Sequence, residues 1–355
     1  MQPISSVGIV GAGIMGRQIA RLFSRHDLPL TIYDVNSQAV TQLCDELAMQ
    51  KQVAGNRNER NHRAVGRLEE VATEDLIIES ATEDLAVKAR ILRALDQASP
   101  PGSLLATNTS SIPIATLADS VMNPERFAGV HFFHPVDQRA LVEVIPNPST
   151  SEANIHLIRQ FMEALGKQPM QAPDIPGFVV NRLLFPYLAA AFELLQQGTC
   201  PLEIDRQLHQ LGHRYGPLEM VDSIGLDTAY QSGKTLFTTF DQSCTLSPVL
   251  PRMVKLGLLG EKTGEGIYRY DDEGNRLGIS DKLQPILDRY RVTPHSGQTA
   301  DSRLLLPVAK VASQLMTEHQ IPLAEIGRAL SLGLGFPESS IRRISRSISM
   351  SWRTS

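Results

Sequence analysis

Val7-Gly-Ile-Val-Gly11-Ala-Gly13-Ile14-Met15-Gly16 is the stretch whose reading decides the fold. A short apolar run enters a G-x-G-x-x-G turn, and helical spacing continues through Ile19, Ala20 and Leu22. This is the strand, turn and helix order that a dinucleotide requires. Gly11 permits the tight turn, Gly13 lets backbone approach a pyrophosphate, and Gly16 lets helix and strand pack closely. The free N–H groups of the helix N-terminus face the phosphates. A bare glycine turn can also join a strand to a helix without any ligand. Here a second apolar run, Leu30-Thr-Ile-Tyr33, ends in Asp34, eighteen residues after Gly16. A carboxylate at that place accepts from an adenosine ribose diol and repels a 2′-phosphate, so NAD is expected rather than NADP.

Outward from the turn, Ser37 to Met49 has helical spacing. Lys51 to Arg67 is polar and reads as an exposed turn and helix continuation, its arginines (Arg57, Arg60, Arg63, Arg67) on a solvated face. Asp75–Ser80 reads as a strand with Ala81-Thr82-Glu83-Asp84 at its carboxyl end. A helix carrying Val87, Ile91, Leu92 and Leu95 follows. Ser103–Thr107 is a further strand, stopping at Asn108-Thr-Ser110-Ser111. In an open parallel sheet, ligands sit outside the carboxyl ends of the strands. That rule gathers Gly11–Gly16, Asp34, Ala81–Glu83 and Asn108–Ser111 on one rim. Two more apolar runs come next, Ala128–Phe133 with His131 in its middle and Leu141–Ile145 with Glu143 at its centre. Strand side chains alternate faces, so Glu143 shares a face with Leu141 and Ile145. An ionised carboxylate there is costly unless paired, and a histidine on a neighbouring strand supplies the pair. Two plainer readings stand beside this one. The His and Glu can be satisfied core residues, and Ser110 or Ser111 can cap a helix beginning near Pro113.

At 355 residues the chain can bury more than one core. A formal net charge of −4 disfavours a nucleic-acid or anionic-membrane role. Cys44, Cys200 and Cys244 are widely spaced and form no C-x-x-C pair, which fits a reducing cytoplasm. No signal-like segment and no stretch long enough to span a bilayer is seen.

Six ordered pieces, GAGIMG, NTSSIPI, RFAGVHFFHP, LVEVI, PGFVVNRLLFPY and YGPLEMVDSIGLDTA, resemble the L-3-hydroxyacyl-CoA dehydrogenases, and most of all the dehydrogenase half of the multifunctional fatty-acid β-oxidation α subunit. The similarity runs to about Asp272. It implies a Rossmann-type α/β NAD-binding domain followed by all-α domains like the C-terminal domain of 6-phosphogluconate dehydrogenase. It also implies reversible NAD-dependent oxidation of a 3-hydroxyacyl thioester to the 3-ketoacyl thioester, in fatty-acid metabolism. His131 falls on the catalytic histidine, Glu143 on its carboxylate partner, and Ser110 and Asn181 on the substrate-contacting hydroxyl and amide. Met15, Asp34, Ala81, Thr82, Glu83 and Lys88 fall on positions lining NAD, and Gly11, Gly13, Ile14, Gly16, Ser110 and His134 complete the expected cofactor set. The chemistry agrees: loss of a hydride from C3 requires loss of the hydroxyl proton. A histidine can take and return that proton, and an acid behind it fixes the tautomer.

The chain departs from the family pattern in two places. His134 stands where the family commonly has asparagine, and is expected to alter cofactor affinity or the pH profile. With His131 it forms H-x-x-H, but no third ligand accompanies the pair, so no metal is expected. The segment around Val53–His62 is short where relatives carry a helical hairpin reaching over the CoA moiety. A carrier-bound or free short 3-hydroxy acid is therefore an alternative substrate, and a catalytically silent NAD-binding protein is an alternative of another class.

Pro173-Asp-Ile-Pro176-Gly177 marks a boundary. Beyond it, Arg182-Leu-Leu-Phe-Pro186 is echoed by Arg303-Leu-Leu-Leu-Pro307 and Pro201-Leu202 by Pro322-Leu323, both at an offset of 121. This repetition implies a duplicated helical unit, the second copy truncated and holding Ser302 in place of Asn181. The expected organisation is residues 1–175 for NAD, 176–272 all-α, 273–300 a linker, and 301–355 the second copy. Either a monomer with an internal pseudo-dimer or a homodimer would follow.

Overall fold

Val7–Val10 forms β1, and it lies inside the sheet because every one of its residues is buried. The computed structural model describes residues 3–53, 62–238, 245–293 and 299–351. The chain divides into two units, Met1–Phe178 and Val179–Ser355.

In the first unit, α1 (Ile14–Arg25), β2 (Leu30–Tyr33), α2 (Ser37–Val53), β3 (His62–Ala64), β4 (Leu76–Glu79), α3 (Leu85–Ala98) and β5 (Leu104–Thr107) follow β1. Then come α4 (Ile114–Ala118), β6 (Phe127–Phe132), β7 (Leu141–Pro146), α5 (Glu152–Ala164) and β8 (Gln168–Gln171). The strands make one sheet in the order β3-β2-β1-β4-β5-β6-β7-β8. All neighbours are parallel except β6 and β7. The order reverses between β1 and β4, which opens a crevice at the carboxyl ends of those strands. Ile9, Ile32 and Ile78 are wholly buried at the sheet centre. Each such side chain contributes about 1.5–3 kcal/mol relative to exposure. This is the Rossmann-type architecture expected from the glycine turn.

Residues 62–64 differ from the expected turn and helix continuation, since His62–Ala64 adds to the sheet as β3, parallel to β2. Its three residues carry no apolar alternation. Backbone pairing with β2 fixes the strand, and pairing of that kind leaves no mark in side-chain pattern. The shortened hairpin expected around Val53–His62 falls mainly on 54–61, outside the described residues, as do Arg57 and Arg60.

The second unit holds α6 (Val180–Gln196), α7 (Pro201–Gln210), α8 (Pro217–Ile224), α9 (Leu226–Leu236), α10 (Val249–Lys255), β9 (Tyr268–Tyr270), β10 (Arg276–Ile279) and α11 (Leu283–Arg289). It ends with α12 (Ala300–Glu318), α13 (Leu323–Arg328) and α14 (Glu338–Ser351). The echoed prolines lie inside matching helices, Pro186 in α6 and Pro307 in α12. α12 packs along α6, where the Arg303 guanidinium donates to Gln197 Oε1 at 2.6 Å. The stretch expected as a linker from 273 to 300 is not bare chain. β10 pairs antiparallel with β9, and α11 buries Leu283, Ile286 and Leu287. Apolar spacing within a polar surround carries that helix. Residues 294–298 and Cys244 lie outside the described residues, as does Arg353.

His213 in this unit is buried, with Nε2 2.8 Å from Ser340 Oγ and its ring against Phe336. Burial first, and His209 second, push its pKa down to about 4. A base depressed in the fold contributes stability that is complete above its unfolded value near 6.5. That stability is lost as pH falls toward the folded value. Denaturant unfolding at pH 7 and pH 5 should therefore show a loss of about 2 kcal/mol. His213→Gln, which can still bond Ser340, should lose that much less over the same interval. An equal loss in both proteins would refute the assignment.

Candidate active site

His131 on β6 and Glu143 on β7 are direct cross-strand partners in an antiparallel pair. Their side chains therefore meet on one face without any long-range accident of folding. His131 Nδ1 lies 2.8 Å from Glu143 Oε2, the imidazole 4% exposed and the carboxylate fully buried. A carboxylate beside Nδ1 fixes the proton there and leaves Nε2 as the acceptor. Nε2 in turn lies 3.2 Å from Ser110 Oγ, on the loop that leaves the carboxyl end of β5. Phe133 meets the imidazole edge-on with ring centroids 4.6 Å apart, and Phe178 packs on it at 5.6 Å.

The loop carrying Ser110 is held from several sides. Asn108 Oδ1 accepts from Phe132 N at 3.0 Å, tying the loop to the end of β6. Asp174 accepts from Ile114 N and Ala115 N, both at 2.7 Å, capping α4 just beyond it. Below the rim, Lys88 is wholly buried and donates to both oxygens of Glu79, each at 3.0 Å. Removing one member of such a pair would cost about 3–5 kcal/mol, because the other charge would remain buried and alone. Lys88 is thus not on the open rim itself, although the resemblance places it in the cofactor lining.

The glycine turn fits a dinucleotide. A Cβ on Gly16 would stand 1.9 Å from Gly11 O, so only glycine allows this packing. Gly11 has φ +108 and lies against Ser80 O, whereas nothing stands within 4 Å of a Cβ on Gly13. The backbone at Gly13 is therefore open to a pyrophosphate. Asp34 accepts from Ala12 N at 2.7 Å and from Asn36 N at 2.8 Å, which draws the turn to the end of β2. Ile14 is exposed, Met15 half-buried, and Ala81, Thr82 and Glu83 follow β4 on the same rim.

His134 is turned to another task than metal binding. The Gln18 side chain accepts from Val136 N through Oε1 at 2.7 Å, which fixes the amide orientation. Its Nε2 then donates to His134 Nδ1 at 2.8 Å. Burial, with Arg139 nearby, also holds the His134 pKa below its usual value. A neutral imidazole results, so His134 brings no charge in place of the family's asparagine. Among the described residues no group of three His, Cys, Asp or Glu could hold a metal. Asn181 lies in the first turn of α6, half-buried, in the second unit.

Sequence reasoning missed Phe178, Asp174 and the partnership of Glu79 with Lys88. Phe178 has φ +50, uncommon for a residue with a side chain. Its buried ring could have been found only from the position of His131.

With the geometry in place, similarity to known proteins settles the class. Residues 6–175 match the 3-hydroxyacyl-CoA dehydrogenase NAD-binding domain and residues 177–270 the C-terminal domain of the same enzymes. The chain belongs to the 3-hydroxyacyl-CoA dehydrogenase family: it is an NAD-dependent oxidoreductase of that class. The 3-hydroxyadipyl-CoA dehydrogenase of Escherichia coli K12 is 32% identical over 349 residues, 88% of this chain and 74% of the relative. A probable 3-hydroxybutyryl-CoA dehydrogenase of Deinococcus radiodurans is 34% identical over 275 residues, 74% of this chain and 99% of the relative. Among solved structures, the (S)-3-hydroxybutyryl-CoA dehydrogenase of Ralstonia eutropha is 35% identical with a TM-score of 0.70, covering 76% of this chain and 100% of its own. The E. coli K12 3-hydroxybutyryl-CoA dehydrogenase is 23% identical, with a TM-score of 0.81 and coverage of 99% and 95%, a likeness of fold. Among the described residues no helix is long and apolar enough to cross a membrane.

Proposed function

We propose that the chain interconverts a short L-3-hydroxyacyl-CoA and its 3-ketoacyl-CoA, with His131 as the base. The observation that carries this is the cross-strand pair, Nδ1 at 2.8 Å from Glu143 with Nε2 directed to Ser110. Bound NAD supplies the chemistry of hydride acceptance at its nicotinamide, held by the turn at Gly11–Gly16 and by Asp34. His131 Nε2 takes the C3 hydroxyl proton as the carbonyl forms and returns it in the reverse direction. Glu143 holds the imidazole in the accepting tautomer and stabilises the imidazolium. Ser110 bonds the substrate oxygen and sets its orientation, and the resemblance gives Asn181 a substrate-contacting amide. A short acyl chain is supported by relatives named for hydroxybutyryl- and hydroxyadipyl-CoA. The all-α copy from 301 to 355, with Ser302 in place of Asn181, takes no part in the chemistry. Its α12 instead covers apolar surface of α6, which favours a monomer with an internal pseudo-dimer. A cytoplasmic setting belongs to the same reading, and the free Cys44 and Cys200 support it.

The test is NADH oxidation with acetoacetyl-CoA set beside the same acyl group on a carrier protein. We expect the CoA ester to be preferred by at least about tenfold in kcat/KM, a difference of about 1.4 kcal/mol in transition-state binding. Preference for the carrier would replace CoA as the substrate. No turnover of either, with NADH still bound, would leave a silent binding protein.

A further inference from the structure

We propose that Glu83 is a positioning residue for Ser110, holding the loop that follows β5 in place from the end of the neighbouring strand β4. This rests on the proposed role of Ser110 at the substrate oxygen.

Glu83 follows the end of β4, and the resemblance gives it only a place in the cofactor lining. Its Oε1 accepts from Thr109 Oγ1 at 2.7 Å, Ser110 N at 2.9 Å, Ser111 N at 3.0 Å and Ser111 Oγ at 2.9 Å. A carboxylate has about four acceptor sites over both oxygens. Four donors converging on one oxygen mean that three consecutive residues are wrapped around this group. Its other oxygen lies 3.6 Å from Lys88 Nζ. Burial raises the Glu83 pKa, but Lys88 and the donors from 109–111 outweigh it and hold the carboxyl below its usual range. The group stays ionised, and bonds to an ionised acceptor are the strong ones.

The anchor is itself fixed. Lys88 is held by Glu79, whose Oε2 accepts from Thr107 Oγ1 at 2.6 Å and whose Oε1 accepts from Ala81 N at 2.7 Å. Glu79 thereby ties the ends of β4 and β5 to the same ammonium. Fixed strands set Lys88, Lys88 sets Glu83, and Glu83 sets the backbone of Ser110, whose Oγ lies 3.2 Å from His131 Nε2. A carboxylate serving only the cofactor would not need four bonds to residues 109–111.

The two roles separate in kinetics. Glu83→Gln keeps the shape but cannot present a charged acceptor to the loop and an anion to Lys88 together. With acetoacetyl-CoA and saturating NADH, we expect kcat to fall about 100-fold, the loss that a misplacement of about 1 Å produces. The NADH dissociation constant without substrate, read by fluorescence, should change much less. In a Ser110→Ala background the same substitution should add no more than about twofold, the scatter of independent sites. A retained kcat with weakened NADH binding would overturn the proposal, and so would a full further loss in the Ser110→Ala background. Should Ser110→Ala alone leave turnover intact, the assignment of Ser110 fails instead. Thr109→Val combined with Ser111→Ala removes two donors and no carboxylate, so it reads the same anchor if Glu83→Gln folds poorly. It should lower kcat at unchanged NADH affinity, and an unchanged kcat would overturn the proposal.

Discussion

His131→Gln should lower kcat for acetoacetyl-CoA reduction by about 10³-fold, within the range assigned to general acid–base catalysis, while NADH still binds. Glutamine suits the test better than alanine. The imidazole is 4% exposed and donates to a fully buried carboxylate, and truncation would strand that charge. A glutamine amide can still donate to Glu143, so loss of activity is separated from loss of fold. It has no proton to give at neutral pH, so the alkoxide forming at C3 of the ketoacyl substrate has no acid to protonate it. The turn at Gly11–Gly16 belongs to other strands, so cofactor affinity should be preserved. Turnover within about tenfold of the parent would mean that the base lies elsewhere, since one proton-transfer group contributes at least about 10².

Much of this site is legible in the sequence because its parts sit at strand ends. Gly11, Asp34, Ala81 and Asn108 all follow short apolar runs, and a parallel sheet brings such ends together whatever lies between. His131 and Glu143 are legible for a different reason. Each is a polar residue at the centre of an apolar run, and burial demands a partner for each. What the sequence hides is pairing across the tertiary fold. Nothing about Glu79 and Lys88, nine residues apart on a strand and a helix, announces that they meet below the rim. Nor does Glu83 announce that it gathers the loop from Thr109 to Ser111. The polar β3 was hidden because strand pairing is a backbone property. Within the expected linker from 273 to 300, β10 is hidden because none of its residues is buried, and α11 because its three buried residues lie in polar surroundings.

The second large effect concerns the acid behind the imidazole. Glu143→Gln should reduce kcat by about 10²–10⁴-fold, the upper figure being the loss seen when an amide replaces the acid of a His–Asp pair. The register of β6 against β7 places residue 143 opposite residue 131 whatever its side chain. A glutamine there must therefore answer to the same Nδ1. If its amide nitrogen faces the ring, it donates to Nδ1 and moves the imidazole proton to Nε2, so the ring can no longer accept the substrate hydroxyl proton. If its oxygen faces the ring, the tautomer survives, but the imidazolium formed in the reaction loses its counter-charge. Either arrangement strikes the chemical step, so KM for the thioester should change little while kcat falls. Combined with His131→Gln, the second change should add almost nothing, because the acid acts only through the ring. Were Glu143 simply a core acid with a satisfied partner, Glu143→Gln would alter the unfolding free energy and leave kcat where it was.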